Sequence, residues 1–144
     1  MRQGAYIRGN VLIGEHCVVG HATEIKSSVL LGDSKAGHFA YIGDSILGRV
    51  NLGAGTKLAN LKITGSPIVI TVAGKEYHTG LKKFGAILGD GVETGCNSVL
   101  LQAPFSAKMY GSIRTARLEA IILLKPSLKL NKSNSPRITN LPDA

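Results

Sequence analysis

Residues 7–32 read IRGNVLIGEHCVVGHATEIKSSVLLG, and this stretch decides the fold. Branched apolar residues recur in it six positions apart, at Ile7, Ile13, Val19, Ile25 and Leu31. Glycine follows three of these positions, which indicates tight and regular bends of the backbone. A repeat this short cannot bury its own apolar side, whereas stacked repeats form a continuous core. The sequence therefore predicts a solenoid of short strands in which the first residue of each repeat points inward.

The rhythm returns later in the chain, after an interruption. Apolar residues followed by glycine recur at Ile42, Leu52 and Leu88, and Leu88, Thr94 and Leu100 are again six apart. Between the two regular parts, residues 35–44 read KAGHFAYIGD. We expect this segment to form a loop that breaks the repeat. Because it carries His38 and Tyr41, it is where we expect chemistry.

The chain of 144 residues has the length of one domain. We expect a hexapeptide-repeat domain over residues 1–104, with a hairpin-like excursion at 61–83 marked by turn sequences between short apolar runs. Beyond Pro104 the repeat is lost. Ser112 is a candidate cap for a short helix at 113–124, within a capping segment at 105–125. Residues 126–144, rich in Pro, Ser and Asn, are predicted to be a basic, flexible tail.

The charge of the chain indicates which kinds of ligand and partner it can bind. The net charge of +8 favours anionic ligands, and residues 105–144 alone carry 7 Lys and Arg against 2 Asp and Glu. We expect no nucleic-acid partner, because basic residues are not interleaved with aromatic ones. We expect no membrane partner either, since the apolar run at 120–124 is too short to span a bilayer.

The two cysteines, Cys17 and Cys96, form no metal-binding or disulfide pattern, and Cys17 is expected to pack inside the domain. Because the sequence shows no signal peptide, the expected compartment is the cytoplasm.

Several segments of the sequence resemble a known family. The octapeptide GHFAYIGD at 37–44, the residues LGAGT at 52–56 and the ILGDGV segment at 87–92 are similar to the acetyltransferase domain of bifunctional N-acetylglucosamine-1-phosphate uridyltransferase/glucosamine-1-phosphate acetyltransferases. The excursion and residues 79–97 are more similar to the archaeal-type sugar-1-phosphate nucleotidylyltransferases with a C-terminal hexapeptide domain. The resemblance covers roughly residues 4–104 and identifies a hexapeptide-repeat acyltransferase domain.

The resemblance implies an all-β fold, a left-handed parallel β-helix that assembles as a homotrimer with active sites between subunits. Members of the family also carry a nucleotide-transferring domain before the β-helix. The chain begins only a few residues before the resemblance, so we expect a fragment, a separately encoded domain or a decayed gene.

The activity that the resemblance implies is transfer of an acetyl group from acetyl-CoA to an amino-sugar 1-phosphate, such as glucosamine-1-phosphate, in nucleotide-sugar biosynthesis, without a metal. By resemblance His38 is the base that accepts the proton of the amine, a role that suits a side chain whose ordinary pKa lies near neutral pH. Glu24 falls where the family has a carboxylate near that histidine, and it is expected to orient the imidazole.

Further positions match residues that bind the two substrates. Arg8 and Lys26 match cations that hold the sugar phosphate; they are 18 residues apart, so three repeats per turn would place them one above the other. The positions that match contacts to the sugar are Tyr41, Asn51, Asn60 and Lys83, with Lys82 in place of Lys83 if the alignment shifts by one. The positions that match contacts to acetyl-CoA are Ala54 and Cys96.

The sequence also departs from the family. Cys96 replaces a serine of the bacterial enzymes, and a thiol is a weaker hydrogen-bonding group than a hydroxyl. The family coils that complete the coenzyme groove have no counterpart after Pro104. The loss of these coils favours an alternative function, a non-catalytic trimerisation or regulatory domain. A further alternative is zinc-dependent hydration, suggested by the spacing of His16 and His21, although zinc catalysis needs three protein ligands.

Overall fold

The structure is a computed structural model, and it describes residues 1–72 and 74–102 together with the strands at 105–106 and 112–113. The described residues form short β-strands joined by tight corners. In chain order these are β1 (Tyr6–Ile7), β2 (Val11–Ile13), β3 (Val18–His21), β4 (Glu24–Lys26), β5 (Ser28–Leu30), β6 (Lys35–His38), β7 (Tyr41–Gly43), β8 (Ile46–Leu47), β9 (Asn51–Leu52), β10 (Lys57–Leu58), β11 (Val69–Val72), β12 (Lys75–His78), β13 (Ile87–Leu88), β14 (Glu93–Thr94), β15 (Val99–Leu100), β16 (Phe105–Ser106) and β17 (Ser112–Ile113).

Most of these strands belong to three parallel sheets of five strands each. We name them sheet A (β1, β4, β7, β10, β15), sheet B (β2, β5, β8, β13, β16) and sheet C (β3, β6, β9, β14, β17). Each coil of the chain contributes one strand to A, then one to B, then one to C. The chain therefore winds into a three-sided prism, and the predicted left-handed parallel β-helix is confirmed.

The core is a stack of inward side chains from the three sides of the prism, and most of them are apolar. The largest of its completely buried side chains include Ile25, Leu30, Ile42, Leu47 and Leu58. Burying an aliphatic side chain of this size contributes about 1.5–3 kcal/mol. Cys17 is half-buried and packs against this core, with its Sγ atom 3.0 Å from the carbonyl oxygen of Leu31.

The register of the repeat differs from the prediction at one step. Leu31 was expected to point inward, but its side chain is 50% exposed and Leu30 is buried instead. The step from Ile25 to Leu30 is five residues, because β4 and β5 are separated by the single corner residue Ser27. Five-residue steps recur on the way to Leu47 and to Leu52.

The predicted loop at 35–44 is absent, since two strands occupy most of it. Lys35–His38 is β6, and Tyr41–Gly43 is β7, so His38 ends one strand and Tyr41 begins the next. The inward residue of β6 is Ala36, which is 1% exposed. The repeat therefore continues through this segment, and it was missed because alanine is not a branched apolar residue.

The corners of the prism use left-handed backbone conformations. At the corner between sheets C and A, positive φ angles occur in successive coils at Gly4, Ala22, Phe39, Gly55 and Asn97. Backbone hydrogen bonds join these coils, for example from Gly55 N to His38 O at 3.0 Å and from Asn97 N to Ala54 O at 2.7 Å. Each corner is thereby fixed to the one in the preceding coil.

The excursion is confirmed as a hairpin. It leaves the prism after β10 and returns before β13; β11 and β12 pair only with each other, in antiparallel register. Its base is closed by an antiparallel bridge between Leu61 and Lys83 and by a 2.8 Å hydrogen bond from Ile68 N to Leu81 O. Ile68 is fully buried at this base.

Sheets B and C continue beyond Pro104. Strand β16 pairs with β13 and β17 pairs with β14, so the expected loss of register after Pro104 is wrong at these strands. Ser112 lies in β17 rather than in a helix cap. The rest of the predicted helix and the tail at 126–144 lie outside the described residues and stay predictions. In the part of the chain that the structure describes, no helix has the length and apolar character needed to cross a membrane.

Candidate functional site

His38 stands on the corner between sheets C and A, which we call the CA corner. It ends β6, its Cα partner in β3 is His21, and its side chain is exposed. Its backbone oxygen accepts a hydrogen bond from Gly55, and the oxygen of Ala54 accepts one from Asn97. His38, Ala54 and Cys96 therefore lie in line in three successive coils. Each comes three residues after a member of one paired row of sheet C, which consists of Lys35, Asn51 and Glu93. The register thus brings the predicted base and both predicted coenzyme residues to one edge.

The outer face of sheet A carries most of the predicted sugar-phosphate residues. Glu24 is the Cα partner of Tyr6 on one side and of Tyr41 on the other, so these three side chains form one outward row across three coils. Tyr41, the first residue of β7, lies only three residues after His38. This face therefore adjoins the CA corner.

Arg8 and Lys26 stand in a second outward row of sheet A. Arg8 comes directly after Ile7, and Lys26 comes directly after Ile25, the Cα partner of Ile7. Lys26 is itself the Cα partner of Gly43 in the next coil. The spacing of 18 residues therefore places the two cations on adjacent coils, as the sequence predicted. Two positive charges on one exposed face form a setting in which an anion can bind.

Glu24 makes an ion pair with Arg8. Nη1 of Arg8 donates to Oε1 of Glu24 at 2.7 Å, and the two side chains are 48% and 33% exposed. The hydrogen bond to Glu24, and then its charge, raise the pKa of Arg8 above its ordinary value. Glu24 thus contacts Arg8, the residue predicted to bind the phosphate, whereas Glu24 was expected from the sequence to orient His38.

Asn60 links two further side chains at the end of the sheet A face. Its Nδ2 atom donates to the hydroxyl oxygen of Tyr41 at 3.2 Å and also to the carboxylate of Asp44. Asn60 is almost fully buried, and its backbone oxygen accepts a 2.9 Å hydrogen bond from Phe84 at the end of the hairpin. The side chains of Tyr41 and Asn60 are therefore held in place by their neighbours.

Two predicted residues lie apart from this group. Asn51 belongs to sheet C, where its partners are Lys35 and Glu93, and its side chain is exposed. Lys83 lies at the base of the hairpin in the bridge to Leu61 and is also exposed. The structure does not place Asn51 on the same face as Arg8 and Tyr41.

Sequence reasoning missed Tyr6, Asp44 and Phe39 as members of this region. Tyr6 is 18 residues before Glu24, so the repeat spacing was a signal that could have found it. Asp44 is revealed by its bond to Asn60, which only the fold brings about. Phe39 had no signal beyond its position next to His38.

The two histidines of the zinc alternative lie on different corners. His16 is at the corner between sheets B and C, with its Nδ1 atom 3.8 Å from Oδ1 of Asp33, whereas His21 is at the CA corner. Among the residues that the structure describes, no group of three His, Cys, Asp or Glu side chains is arranged to hold a metal ion.

Short parallel strands wound into a three-sided prism, with a polar edge and an adjoining polar face, define a β-helix domain of the hexapeptide-repeat type. The chain belongs to the family described as the GMPPB C-terminal domain, whose model matches residues 1–103. The resemblance stated from the sequence is thereby confirmed at the level of the family.

Curated relatives support the same placement. The chain is 39% identical over 98 residues to the bifunctional protein GlmU of Methanococcus vannielii, which covers 67% of this chain and 23% of the relative. It is 38% identical over 98 residues to a bifunctional sugar-1-phosphate nucleotidylyltransferase/acetyltransferase of Sulfurisphaera tokodaii, covering 67% of this chain and 24% of the relative. The GlmU of Thermosynechococcus vestitus is 38% identical over 98 residues, which are 67% of this chain and 18% of that protein. The chain thus matches less than a quarter of the length of each of these relatives.

Proposed function

We propose that this domain is an acetyl-CoA-dependent N-acetyltransferase that acts on an amino-sugar 1-phosphate in nucleotide-sugar biosynthesis. The observation that carries the proposal is the exposed His38 on the CA corner, beside a face that presents Arg8, Lys26 and Tyr41. A relative named as a sugar-1-phosphate nucleotidylyltransferase/acetyltransferase supports the reaction class.

The reaction requires a base because a protonated amine cannot attack a thioester. In the proposed step the amine nitrogen forms a bond to the acetyl carbon, and the carbon–sulfur bond of acetyl-CoA breaks. His38 accepts the proton that the nitrogen loses, and coenzyme A leaves as its thiolate. General base catalysis of this kind contributes typically about 10²–10⁴-fold to the rate.

The phosphate of the sugar would bind at Arg8 and Lys26. The ion pair to Glu24 uses Nη1 of Arg8 and fixes the guanidinium plane, and a guanidinium has five N–H donors in all. A fixed guanidinium loses less conformational entropy when it binds an oxyanion. In this proposal Glu24 is a residue that orients the phosphate-binding arginine.

The sugar hydroxyls would meet Tyr41 and Asn60, with Asn51 and Lys83 as further contacts expected from the family resemblance. Acetyl-CoA would lie along the CA corner at Ala54 and Cys96. We propose a homotrimer, in which a neighbouring protomer completes each site.

The proposal is tested by release of free coenzyme A when the 144-residue chain is mixed with acetyl-CoA and an amino-sugar 1-phosphate. Glucosamine-1-phosphate and galactosamine-1-phosphate are the acceptors, and glucose-1-phosphate is the control that lacks the amine. We expect thiol release only when the acceptor is one of the two amino sugars, and we expect the N-acetylated sugar in the mass spectrum of the same mixture. Thiol release that is the same with and without the amine would contradict the proposal.

A second candidate is a non-catalytic trimerisation or regulatory domain. The engagement of Glu24 with Arg8 favours it, because the carboxylate expected beside the base is occupied elsewhere. Calorimetric titration with acetyl-CoA separates the two functions. An acetyltransferase gives a saturable heat of binding, and a scaffold gives none.

A further inference from the structure

Phe39 occupies a corner position that suits small residues. In the coils before and after it, the equivalent left-handed positions of the CA corner are Ala22 and Gly55, and Phe39 itself has φ 53°. A bulky side chain rarely adopts a positive φ, and such outliers concentrate at functional positions. The ring is moreover 57% exposed, so burial in the core does not account for it.

The ring of Phe39 contacts two histidines. Its centroid lies 5.7 Å from that of His21, with the two planes at 85°, an edge-to-face arrangement. It lies 6.3 Å from the centroid of His38, with an interplanar angle of 37°. The backbone nitrogen of Phe39 also donates to the oxygen of His21 at 2.9 Å. Phe39 thus touches the residue on the coil below it and the residue before it.

His21 is itself held in position from the opposite side. Its Nδ1 atom lies 3.3 Å from the backbone oxygen of Gln3. Its ring rests against Gly4, because a Cβ atom at that glycine would come within 2.5 Å of Nδ1. Gly4, His21 and Phe39 therefore form a continuous stack that ends beside His38.

We propose that Phe39, held by His21, is a positioning residue that fixes the orientation of the His38 imidazole for proton transfer. The inference rests on the proposed function and adds to it a residue that contacts the base rather than the substrate. His38 ends a strand with an exposed side chain, so without a neighbouring ring it can rotate about χ1 and χ2. A wrongly oriented base lowers the rate of the chemical step without weakening substrate binding.

The substitution Phe39→Gly tests this role, because it removes the ring and also relieves the positive φ. The fold should remain at least as stable as in the wild type. We expect kcat for acetyl transfer to fall about 10- to 100-fold with KM changed less than about twofold. The control is Ala22→Gly at the equivalent corner position with φ 51°, and it should leave both constants unchanged. Phe39→Tyr keeps the ring and should retain the wild-type kcat.

A second measurement is independent of activity. The three-bond NMR couplings about χ1 of His38 should report one dominant rotamer in the wild type and in Ala22→Gly, and averaging over rotamers in Phe39→Gly and, more weakly, in His21→Ala. Unchanged His38 couplings in Phe39→Gly would overturn the inference, as would an unchanged kcat in an active enzyme. If the wild type transfers no acetyl group, the proposed function fails and the couplings alone decide whether Phe39 orients His38.

Discussion

At the scale of single residues, the polar face of sheet A depends on the absence of a side chain at Gly43. A Cβ atom at this position would lie 2.6 Å from the hydroxyl of Tyr41 and 2.7 Å from Nδ2 of Asn60. Both of those atoms are the ends of side chains, whereas a Cβ atom at Gly85 would lie 2.0 Å from the backbone oxygen of Gly43. The two glycines therefore have different roles, one in the candidate site and one in the packing of coils.

We predict that Gly43→Ala separates the Tyr41 hydroxyl from Asn60 while the fold persists. The KM for the sugar phosphate should rise several-fold, with the melting temperature lowered by only a few degrees. Gly85→Ala, in contrast, should lower the melting temperature strongly because backbone cannot move aside. Steady-state kinetics and thermal melts of both variants check this, and equal melting temperatures would contradict it.

Leu30 and Leu31 give a second test at this scale. Leu30 is fully buried and Leu31 is half exposed, although the six-residue spacing predicted the reverse. We predict that Leu30→Ala costs about 2–5 kcal/mol of unfolding free energy, as for other buried leucines. Leu31→Ala should cost less than about 1 kcal/mol. Urea unfolding measures both, and a larger loss in Leu31→Ala would show that the register is wrong.

At the scale of elements, the hairpin is an appendage of the prism. Strands β11 and β12 pair only with each other, and an isolated two-stranded hairpin is marginally stable in water. Its support comes from the base, where Ile68 is buried and Thr79 donates from its backbone nitrogen to the oxygen of Ile68 at 3.2 Å. The sequence predicted this element because turn residues and apolar runs mark it locally.

Replacement of residues 69–78 by Asn-Gly should therefore leave the β-helix intact. Ile68 and Thr79 are already adjacent, so a two-residue turn can join them. We expect the far-UV circular dichroism to keep its β-sheet form and the melting temperature to stay within about 4 °C of the wild type. Loss of cooperative melting in this variant would mean that the hairpin stabilises the prism.

The sequence could predict the stacking of coils but not every step of the winding. The pairing of Tyr6 with Glu24 follows from an 18-residue turn, and this pairing brings Arg8 next to Lys26. The shortened steps at Leu30, Leu47 and Leu52 have no such signal, because a corner can lose one residue without a change in composition. The link from Asn60 to Asp44 likewise arises only when the coils are stacked.

At the scale of the whole molecule, the three sheets enclose one core and leave long parallel faces outside. The outward row of sheet B is apolar across four coils, with Leu12, Val29, Ile46 and Ile87 in register. Parallel sheets are usually covered on both faces. Association of protomers is therefore consistent with the trimer that the family resemblance implies.

We predict a trimer in solution. Light scattering coupled to size-exclusion chromatography should give a mass of about 45 kDa, three times the 15.1 kDa of one chain. A concentration series down to the micromolar range checks that the mass is constant. A monomer mass at all concentrations would contradict the assembly and, with it, a site shared between protomers.

The central claim is that His38 accepts the proton of an amino-sugar amine, and the rate of N-acetyl sugar formation in His38→Ala tests it most directly. The matched control is His16→Ala, because His16 is an exposed histidine on another corner. We predict that mass spectrometry shows a rate about 10²–10⁴-fold below wild type for His38→Ala and an unchanged rate for His16→Ala. Equal product formation by His38→Ala and the wild type would contradict the account.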